Sequence, residues 1–107
     1  MTEKSLLIQL VGEAPLFKIM DFLVDNKGLS FTKEQIADGA GISRASLFNY
    51  WGELELRGIV KVSQKEGKTS HYTLNNTNPI TKRILELELT LIQQAMENAT
   101  EEHEVEV

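Results

Sequence analysis

The chain has 107 residues, the usual length of one domain, which argues against an enzyme with separate catalytic and cofactor domains. Its composition, 41% hydrophobic and 25% charged, excludes disordered and collagen-like chains. The absence of cysteine excludes a disulfide framework and a thiolate zinc site. The mostly apolar run from Leu6 to Val11 is too short for a secretion signal or a membrane span, so we expect a cytoplasmic location and no membrane partner.

The net charge of −5 is concentrated at the C-terminal end. Five glutamates and no lysine or arginine follow Met96, so acidic and basic side chains balance in residues 1–96. Segment 33–72 has six basic and five acidic side chains and is net positive. Affinity for phosphate comes from cations, so the negative net charge of the whole chain argues against nucleic-acid binding. The positive net charge of segment 33–72 does not.

Two amphipathic helices are predicted in the first part of the chain. One begins at Pro15 and ends before Gly28, with apolar residues at helical spacing at Leu16, Ile19, Met20 and Leu23. Thr32 and Gln35 form a capping box for a second, short helix. We expect the glycines at positions 39 and 41 to end this helix.

A third helix, 43–57, is predicted after the N-cap residue Ser43. Its core face consists of Leu47, Tyr50, Trp51 and Leu54. The opposite face has only small or hydrogen-bonding residues, Ala45, Asn49 and Gly52, although an internal glycine costs about 1 kcal/mol relative to alanine. This face therefore indicates close approach by another molecule. Phe48 and Leu56 lie off the core stripe, where burial and a partner are equally good explanations.

A hairpin and a long helix complete the chain. The β-prone runs 59–63 and 70–74 predict two paired strands, and a helix without a breaker is expected from Pro79 to about Ala99. That helix has two apolar seams, Ile80, Ile84, Leu87 and Leu91, and Leu85, Leu89, Ile92 and Met96. The domain covers one seam, so we expect the second to form a homodimer interface. Residues 101–107 are expected to be a disordered acidic tail.

This order of elements, together with the segment Gln-Ile-Ala-Asp-Gly-Ala-Gly-Ile-Ser-Arg-Ala-Ser-Leu at 35–47, resembles winged helix-turn-helix transcriptional regulators. The resemblance continues through 54–60 and 71–75, and the join at 75–80 before a long helix is similar to archaeal regulators of this type. It implies an α+β fold: a three-helix core with a two-stranded β-wing (1–78), followed by a C-terminal dimerisation helix (79–100).

The resemblance also implies a sequence-specific interaction with double-stranded DNA. Helix 43–57 would enter the major groove, with Asn49 as the main base-reading residue and Ala45 near a thymine methyl. The wing, 59–74, would contact the backbone or the minor groove. The expected DNA-binding residues are Thr32, Lys33, Ser43, Arg44, Ala45, Ser46, Phe48, Asn49, Lys61, Lys65 and Lys68.

Two alternatives remain open from the sequence. Winged helices also bind proteins, so the fold is compatible with an interaction module that lacks specific DNA binding. The lysines at the tip of the hairpin could instead be solubilising charges that blunt a sheet edge, an explanation that we favour less than DNA contact. Catalysis is not expected, because the chain has no phosphate-binding glycine loop and no nucleophile elbow. No cofactor is expected, and His71 and His103 do not form a metal-ligand pattern.

Overall fold

The computed structural model describes residues 4–105, and the side chains of residues 4–99. Within this part of the chain it has five helices and one antiparallel sheet of two strands. Three central helices form the core, the strands form a wing beside them, and the first and last helices pack together. The predicted winged helix-turn-helix fold is confirmed. The elements are α1 (Leu6–Val11), α2 (Pro15–Asp25), α3 (Lys33–Ala40), α4 (Arg44–Leu56), β1 (Val60–Glu66), β2 (Thr69–Leu74) and α5 (Pro79–Val105).

The core lies where α2, α3 and α4 meet the base of the wing. Its fully buried apolar side chains include four residues whose spacing predicted α2 and α4, together with Ile36 of α3; the four are Ile19, Leu23, Leu47 and Leu54. Trp51 is also buried and meets the Tyr72 ring edge to face, with ring centroids 4.9 Å apart. This aromatic contact joins α4 to β2, so the wing is attached directly to the second helix of the helix-turn-helix.

The turn between α3 and α4 depends on one of the two glycines predicted to end α3. Gly41 has φ +71°, and Ile42 N–H then donates to Ala37 O at 3.0 Å, which satisfies a carbonyl at the helix end. Gly39 does not end the helix as expected and lies inside α3. It is needed for packing, because a Cβ at this position would overlap the Phe22 ring of α2.

The strands of the wing are longer than the sequence patterns predicted. β1 and β2 extend to Glu66 and Thr69, and the tip is a turn at Gly67, whose φ is +57°. Phe31 adds an isolated bridge to Tyr72 on the other edge of β2, with N–H to carbonyl distances of 2.8 and 2.7 Å. The extended link before α3 therefore supports the base of the wing.

Helix α1 was not predicted, because six residues are too few to show a helical period. Ser5 caps it by accepting a hydrogen bond from Ile8 N–H, and Leu7 and Ile8 are buried. Helix α5 extends to Val105, past the predicted end near residue 100, since alanine and glutamate favour helix and no breaker follows. The first five residues of the expected disordered tail are thus helical, and its last two lie outside the described residues.

Two asparagines connect the end of α4 to the start of α5. Asn78 Nδ2 donates to Arg57 O at 2.8 Å, and Asn78 Oδ1 accepts from Ile80 N–H at 2.9 Å. Asn75 Nδ2 donates to Gly58 O at 3.0 Å. The sequence indicated only a polar turn here, but these bonds set the direction in which α5 leaves the domain.

We predict that Gly39→Ala destabilises the protein, although alanine has the better helix propensity. The added methyl group overlaps the Phe22 ring, which is itself packed on Phe31 at 4.9 Å between centroids. Overpacking costs roughly 1–3 kcal/mol and the gain in propensity is about 1 kcal/mol, so we expect a net loss of about 1 kcal/mol in urea unfolding. The double variant Gly39→Ala/Phe22→Leu should recover much of the loss; a single variant as stable as the parent would contradict the close-crossing explanation.

Candidate nucleic-acid interface

One face of α4 is anchored in the core and the opposite face is open. Leu47, Trp51 and Leu54 are buried, which fixes the rotation of the helix about its axis. Asn49 and Gly52 are therefore exposed on the outside, and Arg44 and Ala45 are exposed in the first turn. We call these four residues the outer face of α4. A Cβ at Gly52 would meet no atom within 4 Å, so packing inside the chain does not require a glycine here.

The two expected DNA contacts at helix starts, Thr32 and Ser43, have structural roles as caps. Ser43 Oγ accepts from Ser46 N–H at 3.1 Å. Thr32 Oγ1 accepts from Gln35 N–H at 3.1 Å, and Thr32 N–H donates to Gln35 Oε1 at 2.9 Å, which completes the predicted capping box. Both caps lie at the surface of the domain beside the start of α4.

The structure excludes one of the two explanations left open for Phe48 and Leu56, burial against a neighbouring element, and contact with a partner stays a prediction. Both side chains are exposed, Phe48 at 53% and Leu56 at 82%, so neither is buried by a neighbouring element of the chain. Phe48 lies near the start of α4, beside the lysine that begins α3. Leu56 is the last residue of α4, at the opposite end of the helix from Arg44.

A groove of about 330 Å³ lies between the starts of α3 and α4 and the wing. We call it the wing groove. It brings together four of the expected DNA-binding residues, Thr32, Lys33, Arg44 and Lys68, from three separate parts of the fold. The other lining residues are Glu34, Thr69, Ser70 and Tyr72. Lys61 and Lys65 are exposed on β1 and do not line the wing groove.

Lys33 has an environment that the sequence did not predict. Its Nζ lies 5.6 Å from the centroid of Phe48, 5.4 Å from Trp51 and 5.6 Å from Tyr72. These rings attract a cation through their electron-rich faces. The three aromatic residues lie far from Lys33 in the chain, and only the packing of α3, α4 and β2 brings them to one ammonium group.

The second apolar seam of α5 divides into a covered part and an open part. Leu85 is half-buried against the domain's own core. Leu89, Ile92 and Met96 lie farther along the helix, with 59%, 42% and 66% of their surfaces exposed. Near the same end of α5, Leu10 of α1 is also exposed.

None of the helices in the described part of the chain combines the length and the hydrophobicity that a membrane span requires.

Solved structures of similar fold include transcriptional regulators. The ZitR protein of Lactococcus lactis aligns over 92% of this chain and 80% of its own, with 19% sequence identity and a TM-score of 0.63. The antimony-specific transcriptional repressor AntR aligns over 75% of this chain and 68% of its own, with 24% identity and a TM-score of 0.54. A MarR family regulator from Neisseria meningitidis aligns over 92% and 82%, with 17% identity and a TM-score of 0.51.

No protein-family model matches the sequence, and no curated protein matches it. At identities below 25%, the likeness to these structures establishes the fold, and function has to be argued from the site itself. The archaeal character expected from the sequence stays a prediction.

Proposed function

We propose that this protein is a transcriptional regulator that binds double-stranded DNA sequence-specifically as a homodimer. The observation that carries the proposal is the outer face of α4, which is open, built from small and hydrogen-bonding side chains, and flanked by the basic wing groove. A helix of this shape fits the major groove, which is wide enough to admit an α-helix, and its small side chains let the backbone approach the base edges closely. The similarity in fold to transcriptional regulators supports the same function.

In this proposal the outer face of α4 supplies sequence preference. The Asn49 amide can donate to N7 of adenine and accept from its amino group as a bidentate pair. Arg44, at the first turn, reaches a guanine edge or a phosphate, and Ala45 meets a thymine methyl. Ser46 is half-buried and assists from the flank of α4, while Ser43 and Thr32 bring their caps against the backbone.

The wing and α3 supply affinity that does not depend on sequence. Lys68 lies at the tip of the hairpin, and Lys65 and Lys61 lie on β1, all three exposed. Their charges can release counterions from the DNA backbone, which stabilises binding to any duplex. Together with Lys33 and Arg44, they add positive charge to the surface where DNA would bind, although the net charge of the chain is negative.

The homodimer is proposed to form through the open part of the α5 seam. Leu89 and Ile92 are exposed apolar residues one turn apart on a helix that also packs on the domain. A two-fold pair of α5 helices would bury them and present two α4 helices to the two halves of a pseudo-palindromic site. Doubling the contacts also compensates for the small number of cations on each copy.

Fluorescence anisotropy with genomic-promoter and random-sequence duplexes, at two salt concentrations, tests the function. A DNA-binding regulator should bind with an affinity that falls as salt rises, and should prefer some promoter duplexes. No binding, at concentrations where the dimer is confirmed by light scattering, would contradict the proposal. A winged-helix module that binds protein would then be the better explanation.

Asn49→Ala and Lys68→Ala should have different effects, the first on discrimination between base sequences and the second on affinity for any duplex. Loss of Asn49 should reduce discrimination at one base position by about 1–3 kcal/mol, because a bidentate pair is removed. Loss of Lys68 should weaken all duplexes alike and lower the salt dependence. Competition binding against single-base variants of the preferred duplex measures both effects. The assignment of roles is wrong if the two variants lose discrimination equally.

Leu89→Glu should convert the dimer into a monomer, since a carboxylate on each side of a two-fold interface would be buried next to its copy. Ile92→Glu should do the same. Multi-angle light scattering measures the mass. Leu29→Glu is the matched control, because Leu29 is exposed to a similar extent, 56%, in the link before α3. An unchanged mass in both α5 variants contradicts dimerisation through this seam.

A further inference from the structure

Lys33 lies between three aromatic rings of the domain and the open wing groove. Three rings, from Phe48 and Trp51 of α4 and Tyr72 of β2, surround its ammonium at 5.4–5.6 Å. The residue is half-buried, and among the described residues its Nζ makes no hydrogen bond or ion pair. An ammonium has three N–H donors, and ring faces attract its charge without providing oxygen or nitrogen acceptors. Its donors are therefore unsatisfied by the protein while its position is restricted by packing.

The wing groove next to this ammonium has a lining of positive net charge, which favours the binding of an anion. Lys33, Arg44 and Lys68 line it with three positive charges, against the single carboxylate of Glu34. Glu34 forms no ion pair within the described residues. Thr69 and Ser70, whose side chains have hydroxyl groups, also line the groove. An anion with several acceptor oxygens and a compact charge fits this lining, and phosphate is the group in DNA that has both properties.

We infer that the wing groove is a phosphate clamp, in which the three rings hold Lys33 ready to contact a backbone phosphate of DNA. Arg44 and Lys68 contact the same stretch of backbone from α4 and from the wing. This inference rests on the proposed function, because it assigns the chemistry of one part of that surface. The position of Lys33 is set by the contact between α4 and the wing, so the cation is already in place when DNA arrives and little side-chain freedom is lost.

The first test is the salt dependence of duplex binding by Lys33→Met and Lys33→Arg. Methionine keeps an unbranched apolar side chain against the rings but removes the charge and the donors. We expect weaker binding and a slope of log K against log salt that is smaller by about 0.9, the value for one phosphate contact. Arginine keeps the charge and also stacks on rings, so its slope should match that of the parent chain. Lys82→Met, which removes an exposed lysine of α5, is the control and should change neither quantity.

The second test needs no DNA and uses the only tryptophan of the chain. Trp51 lies 5.4 Å from Lys33 Nζ, so an anion bound to the ammonium changes the electric field at the indole. Titration with inorganic phosphate should shift or quench the Trp51 emission, and sodium chloride at equal ionic strength should not. The response should be lost in Lys33→Met and retained in Lys82→Met.

The outcomes separate this inference from the proposed function. Duplex binding with an unchanged slope in Lys33→Met overturns the phosphate clamp and leaves DNA binding intact. A Trp51 response to phosphate without any duplex binding supports an anion site and contradicts the DNA-binding function. If duplexes do not bind and phosphate leaves the emission unchanged, both are overturned.

Discussion

The packing of one side of α4 against α2, α3 and β2 is the constraint on which the rest of the structure depends. Leu47, Trp51 and Leu54 bury this side, and the edge-to-face contact between Trp51 and Tyr72 extends it into the wing. Because a helix buried along one stripe cannot rotate, the opposite side is presented to solvent in a defined orientation. The outer face, the wing groove and the position of Lys33 all follow from that single contact.

The same helix is connected at its other end to the proposed dimerisation element. Asn78 bonds the carbonyl of Arg57, the α4 C-cap, and the first amide groups of α5, and Asn75 bonds the adjacent carbonyl of Gly58. These neutral hydrogen bonds contribute modestly to stability, roughly 1 kcal/mol each, but they restrict direction. In the proposed homodimer, the separation of the two α4 helices would depend on this junction, since α4 would bind DNA and α5 would bind the other copy.

Much of the fold was predictable because its signals are local. The Thr32 capping box, the Ser43 cap and the apolar spacing of α2 and α4 predicted elements that the structure confirms. The six residues of α1 show no period, so the sequence does not predict this helix, and the prediction that Gly39 ends α3 is wrong because this glycine admits the Phe22 ring inside the helix. A cation such as Lys33 can be expected at the site from its charge and its place at a helix start, but its aromatic surroundings come from residues 15 to 39 positions away and have no local signal.

The sequence by itself determined the order of the elements from α2 onward, the buried side of α4 and the small, polar character of its outer face, because period, caps and turn residues act within a few residues. Tertiary structure decided which distant side chains share a space. It brought Lys33, Arg44 and Lys68 to one groove, placed three rings around one ammonium, and covered Leu85 while leaving Leu89 and Ile92 exposed. These outcomes depend on the angles at which helices and strands pack, and those angles result from side-chain contacts across the whole core, which no single segment specifies.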